Sequence, residues 1–269
     1  MIPLTTEAHA RQDSSPGEAR PLTVLRALTV SDIRARYGRG PARLVKWLLD
    51  PFAVVGVYLL LVTFLLGRQG PAPGLSLACA VVPFQLLMLG IQNAFGAVSR
   101  RKAILLNLEF QRGLIPLASV ATESVAFGAS FALFALMMAV YGVAPTVAVL
   151  WLPVVVATTI VLAAACAYPA CLFGVWFPDL RVFATSFVRT MYFLAPGLIA
   201  LNEISGRAGD LVRLNPLTGI FESYRDILLY GQRPASWQIF YPVAFSFVLL
   251  LGAGPLYRRE QRHFAKVVE

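Results

Sequence analysis

One long apolar stretch most constrains what this chain can fold into. Between Leu114 and Phe177 the only charged residue is Glu123. About 20 consecutive apolar residues are enough to cross the ~30 Å hydrocarbon core of a bilayer as a helix. The stretch is too long for one crossing, and Gly142 and Pro145 mark a reversal, because Gly and Pro interrupt helices. It therefore predicts two consecutive membrane-spanning helices.

The composition of the whole chain agrees with a membrane protein. Apolar residues make up 58% of the 269 residues and charged residues only 14%, whereas soluble domains carry about 25% charged residues. Too few charges are present to cover a soluble globule. The runs are continuously apolar, which favours helices over a barrel whose strands alternate apolar and polar residues. A soluble enzyme, a disordered chain and a disulfide scaffold are all disfavoured.

Six apolar segments predict an all-α, polytopic membrane protein with six transmembrane helices. The predicted spans are Leu44–Leu66, Gly74–Val98, Leu114–Tyr141, Thr146–Phe177, Val182–Leu201 and Trp237–Tyr257. Residues 1–21 are polar and lack apolar periodicity, which predicts a disordered tail ahead of one transmembrane domain over 22–269. Residues 22–37 place apolar side chains at helical spacing among arginines, which predicts an amphipathic helix on the membrane surface. A soluble cap helix is the alternative.

The positions of Lys and Arg predict the orientation, because cytoplasmic loops carry an excess of both. With both termini in the cytoplasm, all but five of the 23 basic residues are assigned to the cytoplasmic side, including Arg189, although Arg189 lies within the fifth predicted span. The five on the outside are Arg68, Arg207, Arg213, Arg225 and Arg233. The net charge of +9 is therefore mainly a topology signal. No nucleic-acid partner is predicted, since the basic residues are spread over several loops.

The sequence lacks the motifs of membrane-embedded enzymes. Its two histidines, His9 and His263, lie outside every predicted span, so an intramembrane Ser–His protease would have no base. It contains neither a His-Glu-x-x-His zinc motif nor the Gly-Lys-Ser/Thr of a P-loop. The three cysteines, Cys79, Cys166 and Cys171, lie inside spans and indicate small packing residues. We therefore predict a non-enzymatic chain without a metal or cofactor, in which any ATP-driven function requires a separate ATPase.

A few polar residues within the spans are candidates for a transport path. Gln85, Gln92 and Asn93 share roughly one face of the second span. Glu123 is the only deep acid, and Tyr192 belongs to a group of aromatic residues near the outer face. These side chains either line a conduit or form hydrogen bonds between helices.

The segment 202–234, between the fifth and sixth spans, is too polar to cross the membrane and predicts short outer helices. An apolar stripe at helical spacing follows the turn Asn215-Pro216. It consists of Leu217, Ile220, Phe221, Tyr224 and Leu228. Arg225 lies three residues after Glu222, so the two side chains can pair on one helix face. The neighbouring aromatic residues predict an aromatic belt at the membrane boundary.

Six short motifs occur in order along the chain. They are Asp32-Ile-Arg-Ala-Arg36-Tyr37 with the following Leu-Val-Lys-Trp-Leu-Leu-Asp50-Pro51, Val82-Pro83-Phe84-Gln85, Glu109-Phe-Gln-Arg112-Gly-Leu-Ile-Pro116-Leu, Phe177-Pro-Asp179-Leu-Arg181 with Phe193-Leu-Ala-Pro196-Gly, Leu214-Asn215-Pro216-Leu217 with Glu222-Ser-Tyr224-Arg225-Asp226, and Tyr257-Arg-Arg-Glu260-Gln-Arg-His-Phe264-Ala. Together they resemble the membrane subunit of type-2 ABC exporters, and most closely the polysaccharide and polyol-phosphate class.

The resemblance implies partners and a mode of action. Similar proteins form homodimers with two copies of a separate cytoplasmic ABC ATPase, which binds the ATP and Mg²⁺. They export lipid-linked glycans such as O-antigens, teichoic acids, capsules or galactans across the bacterial cytoplasmic membrane. The loop 99–113 is then expected to dock on the ATPase. The candidate coupling residues are Arg100, Arg101, Lys102, Leu105, Leu108, Glu109 and Arg112.

The resemblance also places the exit of the transport path at the outer segment, and it implies that the short helices there are re-entrant and dip back toward the membrane. Its candidate residues are Asn215, Pro216, Glu222, Tyr224 and Arg225. Arg225 is expected either to pair with Glu222 or to bind a phosphate of the lipid carrier, which suits a bidentate guanidinium. The aromatic residues here are expected either to anchor the helices or to stack on sugar rings.

Three alternatives stay open. Within transport, the chain is a type-2 ABC exporter permease for a drug or a small lipid. Outside transport, it is a membrane-embedded glycan-transferring enzyme or an assembly factor. The pairing of Leu214-Asn215-Pro216 with Tyr224-Arg225 favours the glycan exporters, and no acidic or metal-binding motif near an interface supports a transferase.

Overall fold

The computed structural model of the protein describes residues 21–37, 42–60, 72–102, 111–198, 200–204, 206–261 and 264. Over this part of the chain it is 85% helical and contains no strand, so the predicted all-α fold is confirmed there. The predicted disordered tail, residues 1–21, lies outside the described residues except for its last residue, Pro21.

The helices of the described residues follow one another with short connections. They are α1 Pro21–Tyr37, α2 Ala42–Leu60, α3 Pro73–Phe95, α4 Ala97–Arg100, α5 Leu114–Ala129, α6 Phe131–Tyr141, α7 Leu152–Trp176, α8 Arg181–Leu194, α9 Arg207–Arg213, α10 Pro216–Leu228 and α11 Ser236–Glu260. Three 3₁₀ turns lie between them, at Val147–Trp151, Pro178–Leu180 and Leu201–Glu203.

Four helical segments of the described chain are long and apolar enough to cross a membrane. They are Pro73–Phe95, Leu114–Tyr141, Val147–Trp176 and Ser236–Glu260. These segments match the second, third, fourth and sixth predicted spans. Helix α2 lies in the first predicted span, whose last residues, 61–66, are outside the described part.

The fifth predicted span, Val182–Leu201, is not one continuous helix. Helix α8 ends at Leu194, and Ala195 has extended backbone angles, φ −89° and ψ 162°. The physical reason is Pro196, because a proline ring disfavours the helical conformation of the residue before it. At 1.5 Å per residue the 14 residues of α8 are about 21 Å long, which is shorter than a bilayer core.

Helix α3 forms the centre of the bundle. Most of its side chains are buried, and it packs against α7, α5, α10 and α2. Helix α1 lies against α5, where Ile33 packs on Ala126 and Ala129. On the periphery α11 exposes large apolar side chains, with Phe240 71% and Val248 66% exposed. Such a surface is typical of helices that face lipid.

The outer segment is helical as predicted, and α10 is buried in the bundle. All five residues of its predicted apolar stripe are buried, and so are the polar residues Thr218, Ser223 and Arg225 on its other faces. It is enclosed by α3, α7 and α11. A helix this polar can be buried because its polar side chains find partners inside the bundle.

Candidate functional site

The chain ahead of α10 fixes where the helix begins. The side-chain oxygen of Asn215 accepts a hydrogen bond from the Leu217 amide at 3.0 Å, and Pro216 occupies the first turn. Asn side chains are favoured caps, and proline suits the first helical position. The Asn215 amide also donates to the Met191 carbonyl at 3.2 Å, so the cap ties α10 to the end of α8.

Arg225 is the largest fully buried side chain of the described residues, with 0% exposure. Its Nη1 lies 2.6 Å from Glu222 Oε1. Its Nη2 donates to the Gly197 carbonyl at 3.2 Å, and its Nε donates to the Ser76 carbonyl at 3.3 Å. One guanidinium thus joins α10 to the start of α3 and to the chain that follows α8.

Glu222 completes this cluster. Its Oε1 accepts the Leu201 amide at 3.0 Å in addition to Arg225. The carboxylate and the guanidinium together hold both ends of segment 197–201, where the fifth span departs from a helix. We call Glu222, Arg225 and their bonds to Ser76, Gly197 and Leu201 the buried polar cluster. The predicted Glu222–Arg225 pair is present in the structure.

The structure shows Arg225 in the first of its two predicted roles, the pair with Glu222. Its three donor nitrogens are engaged within the chain and none of its surface is exposed. Gly197 and Ser76 could not be predicted from the sequence, because both act through backbone carbonyls and no side-chain pattern marks them.

Several predicted exit and path aromatics also lie in the core. Tyr224 is 0% exposed, stacks on Phe134 at 5.9 Å between ring centroids, and its hydroxyl lies 3.4 Å from Thr159 Oγ1. Tyr192 donates to the Gly197 carbonyl at 3.1 Å and packs on Phe84. These rings fill the space around the buried polar cluster and present no face to a sugar.

The predicted path residues of α3 and α5 meet at one point. Asn93 Nδ2 donates to Glu123 Oε1 at 2.6 Å, and Glu123 is 2% exposed. This contact is the interhelical hydrogen bond that the sequence analysis gave as an alternative to a conduit. Gln85 and Gln92 are partly exposed. Among the described residues, Gln92 Nε2 is a buried amide nitrogen that lacks a hydrogen-bond partner.

The coupling candidates lie at the opposite end of the bundle from the buried polar cluster. Arg100 and Lys102 are exposed, whereas Arg101 is 4% exposed and pairs with Asp32 of α1. Burial raises the pKa of the Asp32 carboxyl, although Arg101 and Arg100 lower it. The pair links α1 to the start of the predicted coupling loop.

The other end of the predicted coupling loop is also anchored. Arg112 Nη1 donates to the Gln261 carbonyl at 2.6 Å, and the Tyr257 hydroxyl donates to the Arg112 carbonyl at 3.0 Å. The loop thus starts at a contact with α1 and ends at a contact with α11. The candidates Leu105, Leu108 and Glu109 lie outside the described residues.

The arrangement joins helices through buried polar contacts. Within the described ranges no group of three or more His, Cys, Asp or Glu side chains is placed to hold a metal ion. Its buried charges pair with each other and tie helices together. The described residues thus form a helical bundle in which both flanks of the predicted coupling loop are anchored to other helices.

Comparison with curated proteins finds relatives that align over most of the chain. An O-antigen export system permease protein RfbA of Myxococcus xanthus is 25% identical over 248 residues, which cover 91% of this chain and 95% of the relative. Two proteins of the same name from Klebsiella pneumoniae are 21% and 22% identical over 209 residues, or 77% of this chain and 81% of theirs. No family model matches the chain. The relatives confirm the resemblance indicated by the motifs: the chain is a homologue of permease proteins of O-antigen export systems.

Proposed function

We propose that this chain is the membrane subunit of an ATP-driven exporter that moves a lipid-linked polysaccharide across the cytoplasmic membrane. The observation that carries the proposal is the alignment with O-antigen export permeases over 91% of the chain. The four apolar helices support a membrane location. The absence of a P-loop from the sequence supports an ATPase on a separate chain, which would bind ATP and Mg²⁺.

The proposed topology has six crossings, with α2 and α8 as the first and fifth. Because α8 is short, the fifth crossing also includes the non-helical residues 195–198 that follow it. The buried polar cluster holds this segment at Gly197. Helices α9 and α10 then enter the bundle from the outside and return, so that α10 is re-entrant. Such a helix is tolerated at membrane depth only where protein surrounds it, and α10 is surrounded on all sides by the bundle.

The proposed coupling route uses both anchored ends of the loop 99–113. Arg101 holds α1 through Asp32, and Arg112 holds α11 through Gln261. A force applied to residues 103–110 by a docked ATPase would reach both helices at once. The exposed Arg100 and Lys102 suit contact with acidic residues of that partner.

The proposed path runs between two copies of the chain, along α8. Arg189 is exposed in the fifth span, next to exposed Ser186 and Thr190. An exposed charge at membrane depth is expensive in lipid, so it faces protein or water. We therefore propose that this side of α8 lines a polar path in the homodimer. Tyr192 and Glu123 are not part of it, because both are buried within one bundle.

The first prediction concerns coupling. Replacing Leu105 and Leu108 together with Asp is expected to abolish ATPase binding and glycan export, because two carboxylates would disrupt an apolar docking face. Co-purification of the ATPase and surface glycan analysis measure the two effects. The control is Val147→Asp, which introduces a single carboxylate at a residue 80% exposed at the other end of the bundle. An ATPase that never co-purifies with the unaltered chain would support an assembly factor instead.

The second prediction concerns orientation. In a variant without Cys79, Cys166 and Cys171, a cysteine at exposed Arg233 is expected to react with an impermeant thiol reagent in intact cells. A cysteine at exposed Lys102 is expected to react only after the membrane is opened. The reason is that Lys102 follows Arg100 and Arg101, and loops rich in Lys and Arg lie on the cytoplasmic side. The opposite labelling pattern would invert the topology.

A further inference from the structure

A groove of about 1030 Å³ lies between α5, α7 and α11, at the end of the bundle that carries Arg112 and Arg258. Its inner wall is apolar and includes Leu117 of α5 with Leu250 and Gly254 of α11. Its mouth is basic. It lies far from the buried polar cluster and uses none of the residues assigned to the path.

The mouth of the groove carries positive charge from Arg112 and Arg258. None of the described residues that line the groove is acidic. Arg258 is exposed and forms no ion pair with any acid in the described part of the chain. Arg112 is held in place by its bond to the Gln261 carbonyl. Two guanidiniums at the rim of an apolar groove match a molecule with a negative head and a hydrocarbon tail.

The groove also has free room along its wall. A Cβ added at Gly254 would meet no other atom within 4 Å. The flanking surface of α11 exposes apolar side chains, so the groove is continuous with the part of the protein that faces lipid. A ligand can therefore enter sideways from the bilayer.

We propose that this groove binds an anionic phospholipid. The phosphate lies at Arg112 and Arg258, and one acyl chain lies along Leu117, Leu250 and Gly254. Basic pockets between membrane helices on the cytoplasmic side are known to suit such headgroups. The proposal goes beyond export, because it assigns a resident lipid to the flank of the bundle that carries the end of the coupling loop.

The proposed phosphate site at Arg112 and Arg258 is tested by titrating the purified permease with phosphatidylglycerol. Native mass spectrometry measures the bound lipid. Phosphatidylcholine is the zwitterionic comparison. We expect Arg258→Gln to weaken phosphatidylglycerol binding about fivefold and to leave phosphatidylcholine unchanged, while Arg258→Lys keeps most of the affinity. Arg259→Gln is the matched control, because Arg259 lies in the same turn of α11 and is exposed but does not line the groove.

The apolar half is tested by filling the groove. Gly254→Leu is expected to reduce phosphatidylglycerol binding by tenfold or more, because its side chain would occupy the space of the acyl chain. Gly252→Leu is the control, since a Cβ at Gly252 also meets nothing within 4 Å but this residue lies outside the groove. Both variants replace a helical glycine and should keep the thermal stability of the parent chain.

Four results would overturn the proposal. Equal affinity for the two lipids would remove the role of charge, and equal losses in Arg258→Gln and Arg259→Gln would remove the assigned site. Displacement of the lipid by excess inorganic phosphate would leave a simple anion site. Displacement by the exported lipid-linked glycan would make the groove a substrate site. Each measurement is made without ATPase or export, so its failure is distinct from failure of the proposed function.

Discussion

Replacing Arg225 with Ala is expected to remove most of the folded permease. The change leaves Glu222 buried without its cation and releases the carbonyls of Gly197 and Ser76. Breaking a buried ion pair by removing one partner costs about 3–5 kcal/mol, a large share of the roughly 5–15 kcal/mol that stabilises a typical domain. The expected decrease in Tm is about 10 °C or more, measured by size-exclusion chromatography after heating in detergent.

The structure supplies a matched control for this effect. Arg213 and Asp210 are also three residues apart on a helix, with 3.9 Å between Nη1 and Oδ1, but their side chains are 59% and 80% exposed. An exposed pair is worth about 0–1 kcal/mol, so Arg213→Ala should leave the Tm nearly unchanged. The contrast between the two variants measures what burial adds to the same spacing.

Two further variants separate the charge from the shape of the buried polar cluster. Arg225→Lys keeps a cation but cannot reach three acceptors with one planar fork, so it should recover only part of the Tm. The double variant Arg225→Met with Glu222→Gln removes both charges and should be more stable than Arg225→Ala. An Arg225→Ala protein with parental stability but no export would restore the phosphate role that the sequence suggested.

Replacing Gly174 with a larger residue is also expected to lower the Tm markedly, and here the cause is packing alone. A Cβ at this position would lie 1.9 Å from the carbonyl oxygen of Phe95 and 2.6 Å from its carbonyl carbon. Both are backbone atoms of α3, so no side-chain movement relieves the clash. Glycine permits this approach because small residues let membrane helices pack closely.

Gly174→Ala must therefore push α7 away from α3. Overpacking usually costs about 1–3 kcal/mol, and we expect a loss at or above this range because the obstacle is backbone. The control is Gly128→Ala on α5, where a Cβ meets nothing within 4 Å. Alanine is favoured over glycine within a helix by about 0.5–1 kcal/mol. The Tm of Gly128→Ala should therefore equal or exceed that of the parent chain. Equal Tm values for the two variants would show that α3 and α7 do not touch here.

The outer segment shows which structural features the local sequence pattern predicts and which it does not. The spacing of Leu217, Ile220 and Tyr224 and the turn at Asn215-Pro216 predict α10 and its start, because helix periodicity and capping are local properties. The pattern marks the apolar stripe, but it does not predict the burial of the polar side chains on the other faces of the helix. The structure buries these side chains as well, since Glu222 and Arg225 find partners in residues distant in the chain.

The sequence by itself determined that this chain is helical and apolar enough for a membrane. The reason is that the length, charge content and hydropathy of a segment do not depend on its contacts with the rest of the chain. It also identified the relatives through short motifs. Only the tertiary structure decided what the individual polar residues do. Arg101 turns inward to Asp32, Glu123 bonds Asn93, and Arg225 holds Gly197. These contacts join residues remote in sequence. A buried charge needs a partner, and the partner here comes from another part of the chain, so the position of each partner depends on the tertiary structure.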